Sequence, residues 1–201
     1  MEIDPQQSSV DKIVASILGC VTGELTLVAV DGLAASGKTR LTDELARRNP
    51  TWQVIRLDEL QRPTPNQAWG HWTDEECSRG FVDTNHLRSL LTGLRQGRSV
   101  DFRPYDWTNH RVSEEERTYM PEGVVLVEGL YTMRDVLLPL YDLTIWVAVD
   151  HKERTRRIGA RPPADSGWQD AWIRGEHAYL SSEKPQERAM LVVSGGTLLR
   201  Q

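Results

Sequence analysis

Apolar and polar positions follow two rhythms along this chain. Val10, Ile13, Val14, Ile17 and Leu18 recur at three- and four-residue spacing as one helical face, behind Asp4 and Pro5, which suit a cap and a first-turn proline. Residues 24–30, ELTLVAV, then run almost without a polar break, as a strand does when both faces of a parallel sheet are covered. KTRLTDELARR, residues 38–48, returns to helical spacing and stops near Asn49 and Pro50. WQVIRL, residues 52–57, is a second strand with Asp58 at its carboxyl end, whereas residues 61–83 have no clear period and read as an irregular insertion beside the site. Leu87, Leu90, Leu91 and Leu94 give a further helix, ended by Gly97. GVVLVEG (123–129) and LTIWVAV (143–149) are the strongest later strands, with helical patterns between and after them; a last helix from about Trp168 to Ser182 precedes AMLVVSG.

Strands separated by helices predict parallel βαβ units, hence an α/β fold with ligands beyond the carboxyl ends of the strands. No repeat, low-complexity tract or linker interrupts the 201 residues, so a single domain over 1–201 is expected. With 39% hydrophobic and 26% charged residues the composition is that of an ordinary globular protein. The net charge of −5 argues against a general nucleic-acid binder, which needs a basic excess to neutralise phosphates, so any basic site is local. No apolar run approaches the roughly eighteen residues of a membrane span, and MEIDPQQSSVDKIV lacks the basic start and apolar middle of a secretory signal. A cytoplasmic protein with no membrane partner is expected. Cys20 and Cys77 lie far apart and match no metal or redox spacing, which fits a reducing compartment.

One stretch changes the picture. Residues 31–39 read DGLAASGKT, so Gly32, Gly37, Lys38 and Thr39 satisfy the phosphate-loop pattern of glycine, four residues, glycine, lysine and a hydroxyl residue. The motif lies between a predicted strand and a predicted helix, the context its chemistry requires. Its glycines let the backbone N–H groups around Ala34, Ala35, Ser36 and Gly37 turn inward on phosphates, and the helix that carries Arg40 adds its positive end. Lys38 supplies a mobile cation and Thr39 a hydroxyl for Mg²⁺. The guanine-reading Asn-Lys-x-Asp motif is absent, and SGG at 194–196 is not followed by the acidic strand of a transporter ATPase.

VAVDGLAASGKT, VIRLDEL, RPYDWTNH, VVLVEGLY and VDHKERTRRIGAR, in that order and at similar spacing, resemble the uridine kinase and phosphoribulokinase family of phosphate-loop kinases over roughly residues 24–161. The resemblance implies a three-layer fold, a five-stranded parallel sheet flanked by helices, with a short arginine-bearing lid at about 154–167. It also implies ATP or GTP as donor, Mg²⁺, and a small-molecule acceptor. Asp58 matches the family's base toward the acceptor hydroxyl, and a carboxylate beside the γ-phosphate is suited to orient that hydroxyl and take its proton; it also suits a helix cap. Glu128 matches an acidic residue near the metal's water shell, or is a strand-end turn residue beside Gly129. Arg154, Arg157 and Arg161 share a helical face and form either a solvated surface or the lid that offsets charge on the transferring phosphoryl group.

On the acceptor side the resemblance assigns Tyr105 and His110 to contact with a nucleoside, although a tyrosine beside a proline is often packing and a loop histidine often surface. Asp83 matches a later family aspartate and is equally explained as a helix cap; Trp69 and Trp72 stack on a flat ring or belong to the core. The chain departs from the family in one segment: where uridine kinases carry Asp-His-Pro, residues 74–83 read DEECSRGFVD, with Cys77 at the place of the ribose-holding aspartate. The expectation is a kinase for a nucleoside such as uridine or cytidine, the other readings being a kinase for a pantothenate-like or sugar acceptor and a nucleotide-binding regulator without turnover.

Overall fold

The apolar runs become the strands of one sheet. The computed structural model of the chain describes residues 5–60, 69–106, 109, 111–160 and 166–195. In order these form α1 (Pro5–Gly19), β1 (Leu25–Asp31), α2 (Lys38–Arg48), β2 (Gln53–Arg56), α3 (Asp74–Gly80), α4 (Thr84–Arg95), β3 (Val100–Phe102), β4 (Tyr105–Asp106), β5 (Arg111–Val112) and β6 (Arg117–Tyr119). They continue as β7 (Gly123–Glu128), β8 (Leu143–Ala148), α5 (His151–Gly159), α6 (Ser166–Glu183), α7 (Pro185–Arg188) and β9 (Leu191–Ser194). Five strands make a sheet of order β2-β7-β1-β8-β9 in which every neighbouring pair is parallel.

Successive side chains of a strand point to opposite faces, and the core divides accordingly. Leu27, Val125 and Val127 pack with Phe81, Leu87, Leu91 and Tyr179 on the face covered by α3, α4 and α6. Val28, Val30, Val124 and Leu126 pack with Ile13, Ile17, Leu41 and Leu45 of α1 and α2 on the other. The sheet is thus the middle of three layers, which is why its strands read as unbroken apolar runs rather than as alternating ones. Register Val30↔Glu128 and Arg56↔Glu128 brings the carboxyl ends of β1, β7 and β2 to one edge.

At that edge Asp31 is fully buried and accepts the N–H groups of Gly32 (2.6 Å), Met133 (2.9 Å) and Tyr131 (3.3 Å) and the hydroxyl of Tyr179 (2.7 Å). Burial pushes its carboxyl above the ordinary range, while these donors and Lys38 pull it back. One side chain thereby ties the start of the glycine loop to the β7–β8 connection and to α6.

Three expectations are corrected. The stretch 61–83 is not irregular throughout: residues 61–68 lie outside the described part, but α3 forms within it because Thr73 and Glu76 make a reciprocal cap, Thr73 N–H to Glu76 Oε2 at 2.7 Å and Glu76 N–H to Thr73 Oγ1 at 3.2 Å. Between β7 and β8 the described chain has no α-helix, only a short turn at Leu138–Leu140 that holds Pro139; Asp31 takes backbone N–H groups that a helix would use, and Tyr131 sits at φ 81°. Leu18 is 53% exposed, so the apolar face of α1 is narrower than its spacing suggests.

Candidate active site

The loop after β1 turns back on itself through two residues in the left-handed region, Ala35 at φ 63° and Gly37 at φ 104°. Such turns favour a backbone nest for an anion at the N-terminus of α2, where the helix dipole adds to it; of the N–H groups expected to face phosphate, those of Ala34 and Ser36 are instead taken by Glu176 Oε1 (2.8 Å) and Leu33 O (3.1 Å). Lys38, buried to 8% exposure, reaches back across the loop and donates from Nζ to Leu33 O at 3.1 Å. Beside it the Thr39 hydroxyl donates to Glu128 Oε1 at 3.2 Å.

Glu128 ends β7 and is 4% exposed. Burial pushes its carboxyl above the usual range; Lys38 opposes this, Asp58 adds to it, and Arg56, whose Nη1 stands 3.8 Å away, opposes it again. Asp58 arrives from the neighbouring strand end, in the tight turn Leu57–Leu60 after β2. Gly129 makes this approach possible: at φ 154°, a Cβ there would meet Leu57 Cβ at 2.4 Å. The three strand ends therefore converge on a cleft of about 400 Å³, within the range of small-molecule sites. Its polar side carries Lys38, Thr39, Arg40, Asp58, Glu128 and Arg157 beside the backbone of Ala34, Ala35 and Gly37; its apolar side carries Leu57, Val82, Leu130 and Trp172.

The sequence-predicted residues therefore divide. The glycine loop, Asp58, Glu128 and Arg157 meet in the cleft. Arg154 lies behind the loop, its Nε donating to Ala34 O at 3.2 Å and its guanidinium paired with Glu176. Arg157 lines the cleft and also holds the loop, donating to Ala35 O (3.1 Å) and Ser36 O (3.2 Å). Ser36 is fully buried, its Oγ without a hydrogen-bond partner among the described residues. Asp83 caps α4 by accepting His86 N–H at 3.0 Å and does not line the cleft. Trp72 packs edge-on against Phe81, ring centroids 5.3 Å apart, in the core reading of that residue, and Tyr105 sits half-buried in the β4–β5 ribbon, whose first strand packs beside the Leu57–Leu60 turn that carries Asp58. His110, Arg161 and the side chain of Trp69 lie outside the described part.

Trp172, Glu176 and Arg56 were not singled out by the sequence reading. The signal for the first two was available, since Trp168, Trp172 and Glu176 follow one another at four-residue spacing on α6. What periodicity alone does not give is that this face meets the glycine loop.

The thiol at the divergent segment has a clear setting. Cys77 is fully buried, and a Cβ on Gly175 of α6 would meet Cys77 O at 2.7 Å, so the helix seals this position from the cleft.

The profile of the phosphoribulokinase and uridine kinase family matches residues 77–160. A uridine kinase of Macrococcus caseolyticus is 30% identical over 149 residues, 71% of either chain. The chain belongs to the phosphoribulokinase and uridine kinase family. A uridine kinase of Staphylococcus haemolyticus is 27% identical over 170 residues, 83% of this chain and 81% of its own. Among solved structures, that of a possible uridine kinase from Bacillus stearothermophilus superposes with a TM-score of 0.74 at 22% identity, covering 92% of this chain and 97% of its own. The fold is the phosphate-loop kinase fold, and this member of the family is a small-molecule kinase. No described helix is long and apolar enough to cross a membrane.

Proposed function

We propose that the chain transfers the γ-phosphate of ATP, or of GTP, to a hydroxyl of a small acceptor, a nucleoside such as uridine or cytidine by preference. The observation that carries this reading is the convergence of the Asp58 and Glu128 carboxylates with Lys38 and Thr39 on one cleft. The nest and Lys38 hold the donor's β- and γ-phosphates. Asp58 orients the acceptor hydroxyl and takes its proton as the oxygen bonds to the γ-phosphorus. The bond to the β,γ-bridging oxygen breaks, and the nucleoside diphosphate leaves with that electron pair. Arg157, already at the cleft, offsets charge on the phosphoryl group, with Arg161 as a further candidate.

The donor set fits magnesium. That ion prefers oxygen ligands, keeps several waters and uses one or two carboxylates beside phosphates; the Thr39 hydroxyl and the Glu128 carboxylate are such groups, 3.2 Å apart. Thr39 and Glu128 would hold it, and it would neutralise charge on the phosphates when bound. The cytoplasm is the compartment we assign, since Cys20 and Cys77 are both free thiols.

A second reading, a kinase for a pantothenate-like or sugar acceptor, is favoured by Cys77: at the place of the ribose-holding aspartate of uridine kinases there is a sealed thiol. The test is formation of the diphosphate from ATP, with magnesium, against uridine, cytidine, pantothenate and a set of sugars. Turnover with the two nucleosides supports the first reading. Turnover only with another class replaces it by the second, and nucleotide binding that no acceptor converts to turnover leaves a regulator.

A further inference from the structure

The glycine loop has an inner side, toward Lys38 and Thr39, and an outer side that other elements grip. Its carbonyls at Ala34, Ala35 and Ser36 accept from Arg154 and Arg157. One N–H of its front half is also engaged from outside: Ala34 N–H donates to Glu176 Oε1 of α6 at 2.8 Å. Glu176 is 1% exposed, and its other oxygen pairs with the Arg154 guanidinium. A small closed circuit results. Glu176 holds the N–H of Ala34 directly and the carbonyl of the same residue through Arg154.

The circuit is fixed at both ends. Trp172 Nε1–H donates to Glu176 Oε1 at 3.3 Å, one helical turn away, and the same indole forms part of the apolar side of the cleft. Gly175 seats α6 against α3 so closely that a Cβ there would meet Cys77 O at 2.7 Å and the Tyr131 hydroxyl at 2.9 Å. Glu176 therefore has little freedom to follow a loop that moves. A buried carboxylate with charge-assisted partners holds a backbone more firmly than a neutral acceptor does, and a loop ordered before its ligand arrives spares the ligand that cost.

We infer that Glu176 is a positioning residue for the donor: through Ala34 and Arg154 it fixes the front of the phosphate loop in its nucleotide-ready shape, with Trp172 setting its orientation. This rests on the reading of the loop as the donor site. It does not depend on the acceptor.

The test is calorimetric titration of magnesium ATP, without acceptor, into the wild type and the Glu176→Ala, Glu176→Gln and Trp172→Phe variants, each held well below its own melting temperature. Glu176→Ala removes the whole circuit and weakens ATP binding more than about tenfold, several charge-assisted bonds being lost at once. Glu176→Gln keeps an acceptor for Ala34 but loses the charge that holds Arg154, a loss of roughly three- to tenfold. Trp172→Phe removes one N–H donor and costs about two- to threefold. That graded order supports the inference. A group that served only to attach α6 would lower the melting temperature in each variant and leave ATP affinity unmoved. Glu176→Gln binding ATP within twofold of the wild type therefore overturns the inference, and being nearly isosteric it decides the matter even where Glu176→Ala does not fold. A wild type that does not bind ATP overturns the donor reading and this inference with it.

Discussion

The two halves of the cleft are built in opposite ways. The side we assign to the donor is mostly local: Ala34 to Arg40 come from one loop and the first turn of α2, with Glu128 added from β7 and Arg157 from α5. The apolar lining, which we propose faces the acceptor, comes from Leu57, Val82, Leu130 and Trp172, four separate parts of the chain brought together by the sheet, by the α3–α4 connection and by α6. Phosphate is the same in every donor, so a short stretch of backbone with its glycines suffices to hold it. An acceptor has a particular shape, and shape is set by side chains whose relative positions exist only in the folded protein.

The largest test of this division falls on Asp58, which lines the cleft and which we propose faces the acceptor hydroxyl. Asp58→Asn keeps the shape and removes the base, so ATP affinity stays within about twofold while kcat falls by ~10² to 10⁴, the usual span for an acid–base group. Steady-state kinetics beside ATP titration checks it, and wild-type turnover in this variant would remove Asp58 from the mechanism. Lys38→Ala comes next and affects the donor half alone. It lowers kcat/KM for ATP by ~10² to 10³, the scale for losing one preorganised charge partner, and leaves the acceptor's own binding, measured without ATP, unchanged.

This contrast also explains what the sequence made legible. The phosphate loop, β1 and β7 were readable because their signals are local: a fixed spacing and unbroken apolar runs. Asp58 and Glu128 were singled out by resemblance to the family's motifs, and the parallel sheet brings the strand ends that carry them to one edge. Trp72 and Asp83 could not be resolved between site and scaffold from residue type alone; in the fold Trp72 packs on Phe81 and Asp83 accepts His86 N–H, so each has a structural contact that residue type does not reveal. Trp172 and Glu176 escaped because a helical face reads alike whether it meets the core or a glycine loop. The strands of 100–119 are only two or three residues long, too short for any period to register.

Glu128 offers a smaller effect that sharpens the donor side. Its carboxylate contacts Thr39, and the residue is nearly isosteric with glutamine. Glu128→Gln raises the magnesium concentration needed for half-maximal turnover by about 10- to 100-fold, the cost of losing a group that orients a metal's shell. At saturating magnesium much of the activity returns. A variant with an unchanged magnesium requirement would leave Glu128 as a strand-end residue without a metal role.

The smallest expected effect falls on Cys77, and it is informative because it is small. The residue occupies the segment in which the chain departs from uridine kinases, so an acceptor contact there would make the thiol a substitute for the missing aspartate. The geometry opposes that role: Cys77 is fully buried, Gly175 presses α6 onto its carbonyl, and burial pushes its thiol above the ordinary range, which disfavours the reactive thiolate. Cys77→Ala therefore changes the acceptor KM by less than about twofold, because it alters packing and touches no ligand. In the folded protein a thiol reagent labels the half-buried Cys20 first and reaches Cys77 only on unfolding. A several-fold rise in acceptor KM, or prompt labelling of Cys77 that the acceptor blocks, would extend the acceptor half beneath α6 and break the division between the two sides.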